Sequence, residues 1–210
     1  MIKILITDDH AIVREGLKQI LSETSDMVVS GEAANGQQCL DLVRKNDLDL
    51  VLLDIAMPGR GGMDILKELK NEKPKLPVLI LSMYPEEQYA VRALKAGASG
   101  YLTKESAPDE LIAAIRKVSQ GGKYVSSSLA EKLAVYLEID TEKPVHEILS
   151  DREYQVMLMI ASGKTVKEIA DELSLSVKTI STHRTRLLNK TGFKNNAEIT
   201  HYAIKNALVE

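Results

Sequence analysis

Ile2-Lys3-Ile4-Leu5-Ile6-Thr7-Asp8-Asp9 opens the chain with a short apolar run that ends on two acids. A second run, Asp49-Leu50-Val51-Leu52-Leu53, closes on Asp54 in the same way. Residues that end the strands of a parallel sheet gather on one edge, in the crevice where open α/β folds bind ligands. Three carboxylates in such a crevice repel one another, and each raises the cost of ionising its neighbours. The arrangement calls for a cation. All the candidate ligands are hard oxygens and no Cys or His cluster lies near, which points to Mg²⁺. Ser82, after Pro77-Val78-Leu79-Ile80-Leu81, and Lys104, after Gly100-Tyr101-Leu102-Thr103, fit the same edge. A carboxylate nucleophile, a metal, a hydroxyl and an ammonium together can accept, hold and release a phosphoryl group.

The chain has 210 residues, enough for one large domain or two modest ones. Its 44% apolar and 27% charged content are ordinary for a soluble globular protein, and with one Phe and no Trp the cores must be aliphatic. No run approaches the ~18 apolar residues of a membrane span, and no signal peptide precedes the first strand, so no membrane partner and a cytoplasmic location are expected. Cys39, the single cysteine, falls in a helical pattern beside Leu40 and Val43 and reads as a small buried hydrophobe. The net charge of −3 is unevenly spread. Residues 1–147 carry 18 Lys and Arg against 23 Asp and Glu, whereas residues 148–210 carry 9 against 7. An acidic metal-phosphate domain followed by a basic nucleic-acid reader suits this split.

Strand-like runs at 2–7, 27–33, 49–54, 77–82 and 100–102 alternate with amphipathic helical patterns over residues 1–121. That rhythm gives an α/β domain with a doubly wound, parallel five-stranded sheet and right-handed crossovers. Residues 122–147 break the rhythm: Ser126-Ser127-Ser128 suits the cap of a short helix over Leu129 to Leu137, followed by a polar tether. Residues 148–210 are all-α. Ser150 and Glu153 make a capping box, and further helices run over Val166–Leu173, Val177 to about Lys190, and Ala197–Ala207. Two helices joined by the turn Ser174-Leu175-Ser176 are a helix-turn-helix.

Ile4-Leu5-Ile6-Thr7-Asp8-Asp9-His10, Leu52-Leu53-Asp54-Ile55-Ala56-Met57-Pro58-Gly59, Leu79-Ile80-Leu81-Ser82 and Gly97-Ala98-Ser99-Gly100-Tyr101-Leu102-Thr103-Lys104 stand in order over the first 120 or so residues. Together they resemble the receiver domain of two-component response regulators. Leu149-Ser150-Asp151-Arg152-Glu153, Lys167-Glu168-Ile169-Ala170 and Lys178-Thr179-Ile180-Ser181-Thr182-His183 resemble the LuxR-type DNA-binding domain. The whole chain is thus similar to transcriptional regulators of the NarL/FixJ family. The resemblance implies a flavodoxin-like strand order 2-1-3-4-5, a four-helix output domain, and a sensor histidine kinase as phosphoryl donor. It also implies double-stranded promoter DNA as target, a homodimer formed on phosphorylation, and RNA polymerase as a further candidate partner. In that pattern Asp54 is the phosphoacceptor. Asp9, Asp54 and the backbone carbonyl of Ala56 bind Mg²⁺ directly, and Asp8 acts through water. Ser82 and Lys104 contact the phosphoryl oxygens, and Tyr101 is a switch that swings inward as Ser82 moves. Glu105 stands where many receivers carry Pro, which leaves the isomer of the peptide after Lys104 open.

Haloacid-dehalogenase-like phosphatases also combine an acidic crevice, Mg²⁺ and a phospho-Asp. They need a second Asp two residues after the nucleophile, where this chain has Ala56, so turnover is not expected beyond slow self-dephosphorylation. An RNA- or protein-binding output is the other alternative. On the third helix, projection at 100° per residue puts Val177, Ile180, Leu187 and Leu188 on one arc toward the core. Lys178, Thr182, Thr185 and Asn189 fall on the opposite arc, flanked by Ser181 and Arg186. Arg184 projects into the apolar arc and is set aside as a base reader. By family position Ser181, Thr182 and Thr185 face bases, while Lys178, Arg186 and Lys190 suit phosphate contacts.

Overall fold

Five short apolar runs become the strands of one parallel sheet: β1 (Ile2–Thr7), β2 (Met27–Ala33), β3 (Leu50–Asp54), β4 (Val78–Ser82) and β5 (Gly100–Thr103). Their order is β2-β1-β3-β4-β5, as expected. The computed structural model describes residues 1–127, 129–131 and 144–209. The helices between and after the strands are α1 (Ala11–Ser22), α2 (Gly36–Lys45), α3 (Gly62–Glu72), α4 (Glu86–Lys95) and α5 (Ala107–Ser119). Leu17 and Leu21 of α1 and Leu111, Ile115 and Val118 of α5 pack with Ile4, Ile6, Leu52, Leu79 and Leu81 into one core. Every residue of β3 and β4 is buried, which is why these runs are continuously apolar rather than alternating. Each fully buried Leu or Ile contributes about 1.5–3 kcal/mol. The central strands are therefore a rigid platform, and the candidate site residues are their last residues or the ones just beyond.

Cys39 is buried in α2 as expected, and burial pushes its thiol up to about 11. No cis peptide occurs among the described residues, so the bond after Lys104 is trans.

The chain divides into two compact units, Met1–Val135 and Tyr136–Glu210. The stretch read from sequence as a linker from residue 122 begins as part of the first unit. Tyr124 bridges to Gly100 alongside β5: its N–H donates to Ser99 O at 2.9 Å and its phenol to Glu110 Oε2 at 2.8 Å. A Cβ on Gly100 would come within 2.6 Å of Tyr124 O, so only glycine admits the passing backbone. Ser126 begins the next turn, accepting from Leu129 N at 3.1 Å. Of the helix expected over Leu129 to Leu137, only 129–131 fall among the described residues; tether residues 138–143 fall outside them.

In the second unit a 3₁₀ turn (Val145–Ile148) leads into α6 (Asp151–Ala161), α7 (Val166–Glu172), α8 (Val177–Thr191) and α9 (Asn196–Lys205). Glu153 through Ala161 are all buried, so α6 is the central helix, with α7, α8 and α9 packed against it. The capping box at Ser150 and Glu153 is present, and Thr165 with Glu168 forms a second. Between α7 and α8, Ser174 adopts a positive φ of 52° that tightens the turn of the helix-turn-helix.

Candidate functional site

In the first unit, parallel register assembles the site. Thr7 pairs with Leu53, so Asp8 stands beside Asp54 at the ends of β1 and β3. Asp54 pairs with Leu81, and Ser82 with Thr103, which brings Ser82 and Lys104 to the same edge. Gly62 makes room behind the acid: a Cβ there would lie 2.2 Å from Asp54 O. Asp8, Asp9, His10 and Asp54 each present a potential ligand atom, all within 4.8 Å of one another. Asp8 and Asp54 are both only 1% exposed. Asp9 Oδ1 is also shielded from water and accepts no hydrogen bond; the His10 imidazole, 3.1 Å away, is not aligned to give one. An orphaned carboxylate oxygen among hard donors is what a resident divalent cation would satisfy, so these residues fit Mg²⁺.

Lys104 is the internal counter-charge. Its Nζ lies 2.6 Å from Asp8 Oδ2 and donates to Asp54 Oδ2 at 2.8 Å. Burial works against its charge, but Asp54 and Asp8 outweigh burial and hold the ammonium above its usual value. For Asp54 the balance is opposite. Burial raises its carboxyl above the usual range, and Lys104 and the Ala56 N–H, 2.9 Å from Oδ1, only partly offset this. One ammonium among three carboxylates leaves excess negative charge in a largely buried crevice, the electrostatic condition that favours a divalent cation.

Ser82 is fully buried, and its Oγ accepts from Tyr84 N at 3.1 Å. It caps no helix; the N-cap position of α4 is Pro85. Tyr101 is also fully buried and already turned inward, its phenol donating to Tyr84 O at 2.8 Å. Burial raises the phenol well above the usual tyrosine value, against a smaller opposing pull from Ser82.

In the second unit, Lys178, Ser181, Thr182, Thr185 and Arg186 are all exposed on α8. The Thr182 and Thr185 hydroxyls donate to Lys178 O and Ser181 O on their own helix, each at 2.9 Å. Lys190 is engaged inside its own unit, its Nζ donating to Glu153 Oε2 at 2.6 Å. Arg184 donates to Asn196 Oδ1 at 2.7 Å. One expectation fails. Ile180 and Leu187 are buried and Leu188 is partly so, but Val177 is 51% exposed. The projection treats the helix as seated along its whole length, whereas the core reaches Ile180 and not Val177 at the helix start.

Sequence reasoning missed three contributors. His10 is the N-cap residue of α1, and its Nδ1 lies 3.2 Å from Asp8 Oδ1. Arg14, one helical turn on, donates to Asp8 O at 2.8 Å, and its i+4 spacing from His10 was the available signal. Glu153 carried a capping signal but none for Lys190, which is 37 residues away.

A model of the response regulator receiver domain matches residues 4–116, and one of the bacterial regulatory proteins of the luxR family matches residues 147–203. The chain is 37% identical over 210 residues to the response regulator UvrY of Escherichia coli K12, covering 99% of this chain and 96% of that protein. It is 36% identical over 211 residues to the response regulator GacA of Pseudomonas aeruginosa, covering 100% and 99%. Among solved structures, RcsB from Salmonella enterica serovar Typhimurium, bound to the promoter rprA with the phosphomimetic BeF₃⁻, aligns at a TM-score of 0.66 and 26% identity. That match covers the whole of both chains. No helix among the described residues is long and apolar enough to cross a membrane. With both modules present in one chain, in this order and over its full length, the protein belongs to the NarL/FixJ-family response regulators, DNA-binding transcription regulators of two-component systems.

Proposed function

We propose that this regulator is switched by phosphorylation of Asp54, with a sensor histidine kinase as donor. A carboxylate oxygen of Asp54 attacks the phosphorus, the bond from phosphorus to the kinase imidazole breaks, and the imidazole nitrogen keeps the electron pair. The observation that carries this reading is the charge arrangement at the end of β3: a 1% exposed carboxylate with two other acids close by and a lysine amine 2.8 Å away. Asp9, Asp54 and the Ala56 carbonyl suit direct Mg²⁺ ligation, with Asp8 acting through water. The ion, when bound, neutralises the oxygens of the transferring group. Lys104 leaves its ion pairs to meet the phosphoryl group, and Ser82 donates its hydroxyl to a phosphoryl oxygen once Tyr84 N is released. Tyr101 follows that movement through its bond to Tyr84 O. With Ala56 two residues after Asp54, no side-chain acid assists release, and self-dephosphorylation is slow.

The output is cytoplasmic binding of promoter DNA through α8, whose exposed face carries Lys178, Ser181, Thr182, Thr185 and Arg186. Lys190 adds a phosphate contact only when it leaves Glu153. The division is a receiver over 1–121, a connecting stretch over 122–147 whose start packs beside β5 through Tyr124, and the DNA-binding domain over 148–210. Phosphorylation changes domain packing and favours a homodimer that can engage RNA polymerase. The test is labelling by acetyl phosphate. Wild type takes up phosphate only with Mg²⁺, and Asp54→Asn, isosteric but without the nucleophilic oxygen, takes up none while keeping its fold. Equal labelling of the two proteins would move the phosphosite elsewhere. Unchanged sedimentation and DNA affinity on adding beryllofluoride would reject the coupling of phosphorylation to DNA binding.

A further inference from the structure

Thr182 and Thr185 are exposed on α8, yet each hydroxyl donates to a carbonyl of its own helix at 2.9 Å. That bond fixes the side-chain rotamer and uses the only hydrogen the hydroxyl has, leaving the Cγ methyl as the other branch. Reading a base through a hydroxyl donor would first have to break the bond to the helix. One turn earlier, Val177 is 51% exposed, although its place in the apolar period predicts a core position. A lone exposed valine on a protein surface is unremarkable. This one occupies the first turn of the second helix of a helix-turn-helix, the part whose residues meet base edges in the major groove. It lies about 40° around the helix from Ser181 by the 100° projection. The long hydrogen-bonding side chains on the same exposed surface, Lys178 and Arg186, suit phosphates.

We infer that α8 reads its target chiefly through apolar contacts to the C5-methyl groups of thymine, with Val177 as a specificity residue beside the methyls of Thr182 and Thr185. Thymine is the base that presents a methyl in the major groove, and small apolar groups are its complement. The inference rests on α8 being the DNA-reading helix, and its test separates the two ideas. Sites are selected from random duplexes with the full-length protein activated by beryllofluoride, and each thymine of a selected site is then replaced in turn by deoxyuridine. Deoxyuridine keeps every hydrogen-bonding group and loses only the methyl. At one or more positions affinity should fall about fourfold, the worth of one methyl-sized group removed from water. At one such position Val177→Ala should bind thymine and deoxyuridine equally well, while its affinity for random duplex stays that of wild type. Val177→Thr, of equal volume, should keep most of the methyl preference.

If specific binding is retained and no deoxyuridine matters, methyl reading is wrong although α8 still reads DNA. If the methyl effect is the same in Val177→Ala as in wild type, Val177 is not a specificity residue. If no duplex is selected at all, the DNA-reading role of α8 fails and takes this inference with it.

Discussion

Every described helix from Asp151 to the C-terminus is capped by a side chain: Ser150, Thr165, Ser176 and Asn195 each accept a backbone N–H from three residues on. In the first unit Asn35 caps α2 this way, and Ser126 does the same for the turn after Tyr124; α1, α3, α4 and α5 have His10, Gly61, Pro85 and Ser106 at their N-caps, none with a side-chain cap bond. The uncapped four are the helices that follow β1, β3, β4 and β5, the strands whose ends carry Asp8, Asp54, Ser82 and Lys104. Of the capped starts, α2 follows β2, which brings no residue to the site, and the turn at Ser126 directly follows no strand that does. Polar side chains at the strand ends face the crevice, and the sheet holds the helices by burial instead. The small helical unit has no sheet, so local capping and one central helix must fix its ends.

That contrast can be broken in several places. The largest effect should come from Ile180→Ala, which removes a fully buried side chain from α8. A loss of about 2–5 kcal/mol is expected, enough to unfold a unit of this size. Hydrogen exchange on the full chain should then show lost protection over 151–205 and native protection in the sheet. Equal loss in both would mean the units are not separately stabilised.

Next is Lys190→Ala, which leaves the buried Glu153 carboxylate without its cation. The lysine is 42% exposed, so solvent screening limits the cost to about 1–3 kcal/mol. Burial alone would raise Glu153, but Lys190 and the Ser150 N–H together hold it below the usual carboxylate range. Its stabilising contribution is therefore complete above the ordinary glutamate pKa, near 4.5, and fades as pH falls through the lower folded value. Without Lys190 the folded value rises, so acid unfolding of the helical unit should begin at a higher pH. An unchanged acid midpoint would show that the pair contributes nothing.

Thr165→Ala should cost about 1 kcal/mol by removing a capping box. Smallest of all, Ser106→Ala at the uncapped start of α5 should fall within about 0.5 kcal/mol. Equal costs at these two positions, read from denaturant midpoints, would erase the distinction between the units.

The sequence alone determined whatever depends on residues close together along the chain. Apolar runs ending in Asp9, Asp54, Ser82 and Thr103 marked strand ends and the chemistry gathered there, and Ser150 three residues before Glu153 marked a helix start. Period and spacing report local geometry directly. Only the tertiary structure decided what rests on distant partners or on where packing stops. Tyr124 runs beside Gly100, and Tyr101 points inward because Tyr84 O receives it. Lys190, read as a phosphate contact, lies against Glu153, a pairing no periodicity encodes. Val177 kept the apolar phase of its helix yet faces solvent, because a hydrophobic period says which way a side chain points, not whether another element is there to meet it.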